Sequence, residues 1–238
     1  DRDTWIAALR ANPDRVLNPP NLEPGVFTKD QSWLMGELQG QSSTVDLLKY
    51  ARWQELIPNF GGEVAQAYRD AAVNHWRHYL PILQSEEAQS NSTPYSLIFG
   101  LVGLEIEATE NSEFPHYLDE NQVCHALRYI THEFNGFPSW FEQMYQSFPD
   151  LVIAAVNKEL LWELENTTPD TPMHYILHTL AYYAPWLHAP TAPVILEWVE
   201  ANATRINTNR DHCLRILTNS GIGMARLTQL VTLQIAQT

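Results

Sequence analysis

The chain has 238 residues, 45% of them hydrophobic and 11% aromatic, which is enough apolar surface for a packed core and too much for a disordered segment. Fourteen basic against 28 acidic residues leave a net charge of −14, a field that repels phosphate backbones and anionic headgroups. Direct nucleic-acid binding and membrane association are therefore not expected, and no stretch approaches the ~20 apolar residues of a spanning helix.

Along the chain the pattern is helical and often interrupted. Asp3 is placed to cap a short helix over residues 4–11, which Pro13 ends. Asn18-Pro19-Pro20 and Pro24-Gly25 then force an irregular connection. Helical periodicity resumes over 30–38 and, after Gly40-Gln41-Ser42-Ser43, over 45–57. Residues 1–43 thus read as an irregular N-terminal segment with short helices, and 44–238 as a helical-repeat domain. The clearest helix covers 62–80, where Val64, Tyr68, Ala71, Ala72, His75, Trp76 and Tyr79 share one arc. A polar stretch at 84–93 is the expected loop or hinge.

Pro94 opens an apolar stretch to residue 108. Gly100 and Gly103 each lower its helix propensity by roughly 1 kcal/mol relative to Ala, and a buried strand is the competing reading. Helix is preferred, because no partner strand is visible elsewhere in the chain; small residues three apart would also let a neighbouring helix approach closely. Asp119 then caps a helix to 133, Ser139 a shorter one to 147, and Asp150 starts one that ends near 165 and is apolar on two sides. Pro172 opens a helix to 184 by occupying its first turn, and helices over 190–207, 211–218 and 224–236 complete the chain.

Two segments echo each other. Trp5 to Arg10 leads into Pro13-Asp14, and Trp140 to Tyr145 leads into Pro149-Asp150, each followed by a new apolar start. The punctuation recurs as Trp53 with Pro58 and as Thr168-Pro169-Asp170. Units that cannot bury their own apolar face must stack on neighbours. The expected fold is all-α, a set of stacked antiparallel helix pairs of HEAT-like α-solenoid type.

Candidate chemistry is sparse. His174 and His178, four apart on the expected helix, could share a metal with His75, and His188 is a further candidate. Tyr175, not Glu, follows His174, so the general base of a zinc-protease helix is missing. Glu159 and Glu163 share a helix face and read as a solvated pair. Cys124 and Cys213 are too few for a disulfide scaffold; both are expected as buried small hydrophobes in a reducing, cytoplasmic setting. Gly61-Gly62 and Gly221-Ile222-Gly223 lack the Lys and Ser/Thr of a phosphate loop and read as turns. Charge is uneven: from residue 201 onward Arg205, Arg210, Arg215 and Arg226 face only Asp211, a local +3 that leaves −17 on the first 200 residues. Arg205, Arg210 and Arg215 are the candidate contacts for an acidic partner.

The segment Trp53-Gln54-Glu55-Leu56-Ile57-Pro58-Asn59-Phe60-Gly61-Gly62-Glu63-Val64-Ala65, with Ala67-Tyr68-Arg69-Asp70 and Trp76-Arg77, resembles helical regions of large bacterial NTPase-linked proteins of the NACHT/STAND type. Thr93-Pro94-Tyr95 and Glu105-Ile106-Glu107-Ala108 extend the likeness. The resemblance implies a sensor or scaffold portion of a multidomain defence or signalling protein, its nucleotide site elsewhere. The expectation is a non-catalytic interaction module without a cofactor, a segment of a larger polypeptide, bound to a protein partner or a neighbouring domain. A helical metal-dependent enzyme using His174, His178 and His75 is the alternative.

Overall fold

The computed structural model describes residues 2–19, 22, 23, 25–40, 47–86, 93–132, 136–168, 175–202, 209–222 and 228. All regular structure among the described residues is helical. In chain order the α-helices are α1 (Arg2–Ala11), α2 (Asp14–Leu17), α3 (Lys29–Gln39), α4 (Leu47–Tyr50), α5 (Ile57–Phe60), α6 (Gly62–His78), α7 (Tyr95–Glu110), α8 (Glu120–Leu127), α9 (Phe141–Ser147), α10 (Pro149–Asn166), α11 (Leu177–Tyr183), α12 (His188–Ala201) and α13 (Arg210–Asn219). Short 3-10 turns occupy Trp53–Leu56, Gln84–Glu86, Ile130–His132 and Pro185–Leu187. None of the described helices is long and apolar enough to cross a membrane. The chain divides into two compact units, Asp1–Ile82 with Gln89–His132, and Leu83–Ala88 with Glu133–Thr238.

The first unit is built on α6 and α7. Arg69 meets Glu110, the Ala72 backbone faces Gly103 and His75 meets Ser96, so positions rise along one helix as they fall along the other and the pair is antiparallel. The glycines of α7 explain why this stretch is a helix despite its poor propensity. A Cβ on Gly103 would run into the Ala72 carbonyl of α6, and one on Gly100 would lie 2.5 Å from the Tyr129 hydroxyl. Glycine here lets two backbones approach more closely than any side chain allows. Gly103→Ala is therefore expected to destabilise the protein by about 2–3 kcal/mol, read as a fall in the urea midpoint.

A polar seam runs through the same helices. Glu107, 7% exposed, accepts from the Trp76 indole Nε1 at 2.7 Å, from Arg77 Nη1 at 2.7 Å and from the Tyr117 hydroxyl. Burial opposes its ionisation, but the hydrogen bonds from Arg77, Tyr117 and Trp76 outweigh that and hold its carboxyl below the ordinary value of 4.5.

Two histidines of this unit, the buried His75 and the half-buried His132, are held as neutral rings. His75 donates from Nε2 to the Ser96 carbonyl at 2.9 Å and stacks on Tyr79 at 5.3 Å. Burial lowers its pKa from 6.5 to about 4, and burial followed by the Arg128 charge does the same to His132. Folding thus excludes protons that the unfolded chain binds. Stability from both rings is complete above about pH 6.5 and falls as pH drops toward 4. Urea titrations between these limits should show close to two protons taken up on unfolding from these sites, and His75→Leu should remove about one.

The second unit packs around α10, whose Val152, Val156, Leu160 and Leu164 are buried. Glu159 and Glu163 lie on the same helix one turn apart and are also buried, at 3% and 1% exposure, which corrects the solvated-pair expectation. Glu163 accepts the backbone N–H groups of Tyr175 (3.1 Å), Ile176 (2.7 Å) and Leu177 (2.7 Å), capping α11 from a neighbouring helix. Glu159 accepts from the Ser85 hydroxyl at 2.7 Å and the Tyr175 hydroxyl at 3.0 Å.

Several element boundaries differ from the sequence expectation. The helix expected over 45–57 is broken where it is described: α4 ends at Tyr50, a 3-10 turn covers Trp53–Leu56, and α5 starts at Ile57 with Pro58 in its first turn, where a missing N–H costs nothing. Asp3 lies inside the first turn of α1. Thr28 caps α3 with a reciprocal bond from Gln31, and Asp119 caps α8 in the same way, as its position implied. Trp140, not Ser139, precedes α9, and no side chain caps it. The helix expected to open at Pro172 starts at Leu177. Residues 84–86 of the expected loop form a 3-10 turn, whereas 87–92, and all of the helix expected at 224–236 but residue 228, lie outside the described residues.

Cys213 is buried and its thiol is pushed up to about 12, first by burial and then by the Glu163 charge. Cys124 is exposed on α8, against expectation, because it falls between the buried positions Val123 and Ala126. Ellman titration of the native protein should find one thiol reacting quickly and the second only after unfolding.

Candidate interaction surface

Adjacent residues on a helix point about 100° apart, so a Tyr-Tyr pair at a helix end cannot bury both rings. Tyr182 and Tyr183 close α11 in this way, at 47% and 57% exposure. Around them the second unit gathers polar aromatic groups. The His178 ring lies 4.9 Å from that of Tyr182 and 5.3 Å from that of His212 on α13. Arg215, one turn after His212, lays its guanidinium 4.5 Å from the Tyr182 ring centroid and donates from Nε to the Ala181 carbonyl at 3.0 Å. A cation over a ring is attracted by its negative face. The pair holds Tyr182 and Arg215 in one arrangement while leaving both open to solvent. Behind the patch, Cys213, Ile216 and Leu217 anchor α13, and Leu177, Leu180 and Ala181 anchor α11.

The residues singled out from sequence are distributed as follows. Arg215 belongs to this patch. Arg210 is exposed at the first position of α13, and five residues on a helix separate it from Arg215 by about 140°, so the two do not form one stripe. Arg205 lies outside the described residues, as does His174. His178 is exposed on α11 and meets His212, a neighbour that sequence did not suggest. His75 is in the first unit, committed to Ser96. His188 is 1% exposed and donates from Nε2 to the Leu180 carbonyl at 3.0 Å. Among the described residues no group of three or more His, Cys, Asp or Glu is placed to hold a metal.

Sequence did not single out Tyr182, Tyr183 or His212 as members of this patch. The tandem tyrosine was the available signal; the His178–His212 approach depends on two helices meeting and left no trace in local spacing. Compared with family models, curated proteins and solved structures, the chain gives no match to any.

Proposed function

We propose that this chain is a non-catalytic protein-interaction module, the sensor or scaffold portion of a larger multidomain protein of the NACHT/STAND kind, working in the cytoplasm. In this reading its helices are antiparallel pairs of a HEAT-like stack, and the α11–α13 face receives an acidic segment of a protein partner or a neighbouring domain. The observation that carries the reading is the exposed Arg215–Tyr182 stack beside His178 and His212. Tyrosine and arginine dominate interface hot spots because they bring large contact area and directed donors at little ordering cost. Here the ordering is done in advance, since Arg215 is already fixed by Ala181 and by the ring. The buried carboxylates support the same reading by serving structure: Glu107 ties α7 to Arg77 of α6, Glu163 caps α11, and Glu159 accepts from the Ser85 and Tyr175 hydroxyls.

The test is affinity capture from the source cells with three baits: wild type, Tyr182→Ala, and the double variant Arg210→Glu with Arg215→Glu. A shared protein set that falls at least about tenfold with both variants, whose folding is checked by circular dichroism, is the expected result. The same set recovered equally by all three baits would remove this face from the account.

A further inference from the structure

The second unit brings two imidazoles together from different helices. The ring centroids of His178 on α11 and His212 on α13 lie 5.3 Å apart, with their planes at 81°. His178 is exposed and His212 half-exposed, so both rings reach solvent. Packing sets their approach from below. Leu177, Leu180 and Ala181 seat α11, and Cys213, Ile216 and Leu217 seat α13. The pair therefore stands on two anchored helices and not on a loop.

Two imidazoles bound to one tetrahedral zinc through bonds of about 2.1 Å have ring centres about 5.3 Å apart, with the ion to one side of the line that joins them. The observed separation is thus that of a chelating pair, and the ion uses none of the space between the rings. The angle between the planes is free, since each ring only has to contain the ion in its own plane. A metal-bound histidine uses one nitrogen and keeps the other for a hydrogen bond, so neither ring gives up both positions. Turning about χ2 chooses which nitrogen faces the ion, and at the surface that turn is open to both side chains.

We propose that His178 and His212 bind one divalent cation of the zinc class, which clamps α11 to α13 and fills its remaining positions with water. Ligand type names the class: imidazole suits zinc, copper and nickel, whereas calcium and magnesium require oxygen ligands. Charge sets the strength. Arg210 and Arg215 oppose a cation on this face, but the Arg215 guanidinium is drawn over the Tyr182 ring with its Nε on the Ala181 carbonyl. Asp211, next to His212, offsets one of these charges, and the net −14 of the whole chain attracts cations. Two protein ligands in that field make a micromolar site, far weaker than a structural zinc with four. The site shares a face with the partner contact proposed above and requires no partner.

The test is isothermal titration of chelator-stripped protein with zinc chloride near pH 7.5. Saturable binding with Kd at or below about 100 μM is expected, and no heat from magnesium chloride. His178→Gln and His212→Gln should each weaken zinc binding at least about tenfold with unchanged circular dichroism, while His116→Gln, at an exposed position of the first unit, should bind as wild type does. Lowering the pH to about 5.5 should weaken binding at least about tenfold, because protons compete for the imidazoles. Zinc should shift amide NMR signals of Leu177–Tyr183 and Arg210–Asn219 and raise the thermal midpoint of wild type but of neither α11–α13 variant. Absence of saturable binding up to about 1 mM zinc, wild-type affinity in either His178→Gln or His212→Gln, or equal affinity for magnesium would overturn the proposal. Affinity capture run with chelator present reports on the partner contact alone, so the failure of one reading is told from the failure of the other.

Discussion

Glu163→Ala is expected to destabilise the second unit by about 4 kcal/mol, measured by urea denaturation. The carboxylate is 1% exposed and is the acceptor for three successive backbone N–H groups at the start of α11. Alanine leaves those donors buried without it, and each unpaired buried donor costs about 1–3 kcal/mol. Relaxation and water entry recover part of that sum. Glu163→Gln keeps an acceptor oxygen but loses the charge, so its cost should be about half as large. The effect reaches function through position. Glu163 sets where α11 begins, and α11 carries His178, Tyr182 and Tyr183. A loss below about 1 kcal/mol for Glu163→Ala would show that α11 is held by its apolar face alone.

Glu107→Ala should cost about 3–5 kcal/mol in the first unit. The Arg77 guanidinium, with 25% of its side chain exposed, would lose its partner at 2.5 Å, and the buried Trp76 indole would lose its acceptor. Tyr117→Phe removes one donor only and should cost about 1 kcal/mol. The pH dependence follows from the lowered carboxyl pKa of Glu107. A depressed folded-state value means that its stabilisation is complete above the unfolded value of 4.5 and is lost as pH falls through the folded one. Its contribution therefore disappears below the range in which His75 and His132 act, and the Glu107→Ala protein should show a shallower stability loss than wild type below about pH 4.5. A parallel loss in both proteins would mean that folding does not hold the Glu107 carboxyl below its unfolded value.

Much of the helical architecture was legible where one segment carries its own signal. The α6 arc repeats at 3.6 residues and its members Val64, Tyr68, Ala71, Ala72, His75 and Trp76 are buried. Asp119 announced α8 because an Asx cap is a local interaction with the third residue on. What escaped was decided between segments. Glu163 looked like a solvated surface residue because its partners, 12 to 14 positions away, are backbone groups that leave no mark on composition. Gly103 is explained only by Ala72 on another helix, and Cys124 by which side of α8 meets the core. The interaction surface was half legible for the same reason. Arg215 stood out by charge, whereas Tyr182 joined it only through the α11–α13 packing that stacks guanidinium on ring.

Amide hydrogen exchange on the complex captured by the wild-type bait tests the central claim most directly. Partner contact through the α11–α13 face predicts added protection confined to Leu177–Tyr183 and Arg210–Asn219, and its disappearance in the Tyr182→Ala protein. Protection that leaves both helices unchanged would contradict the assignment of this face to a partner.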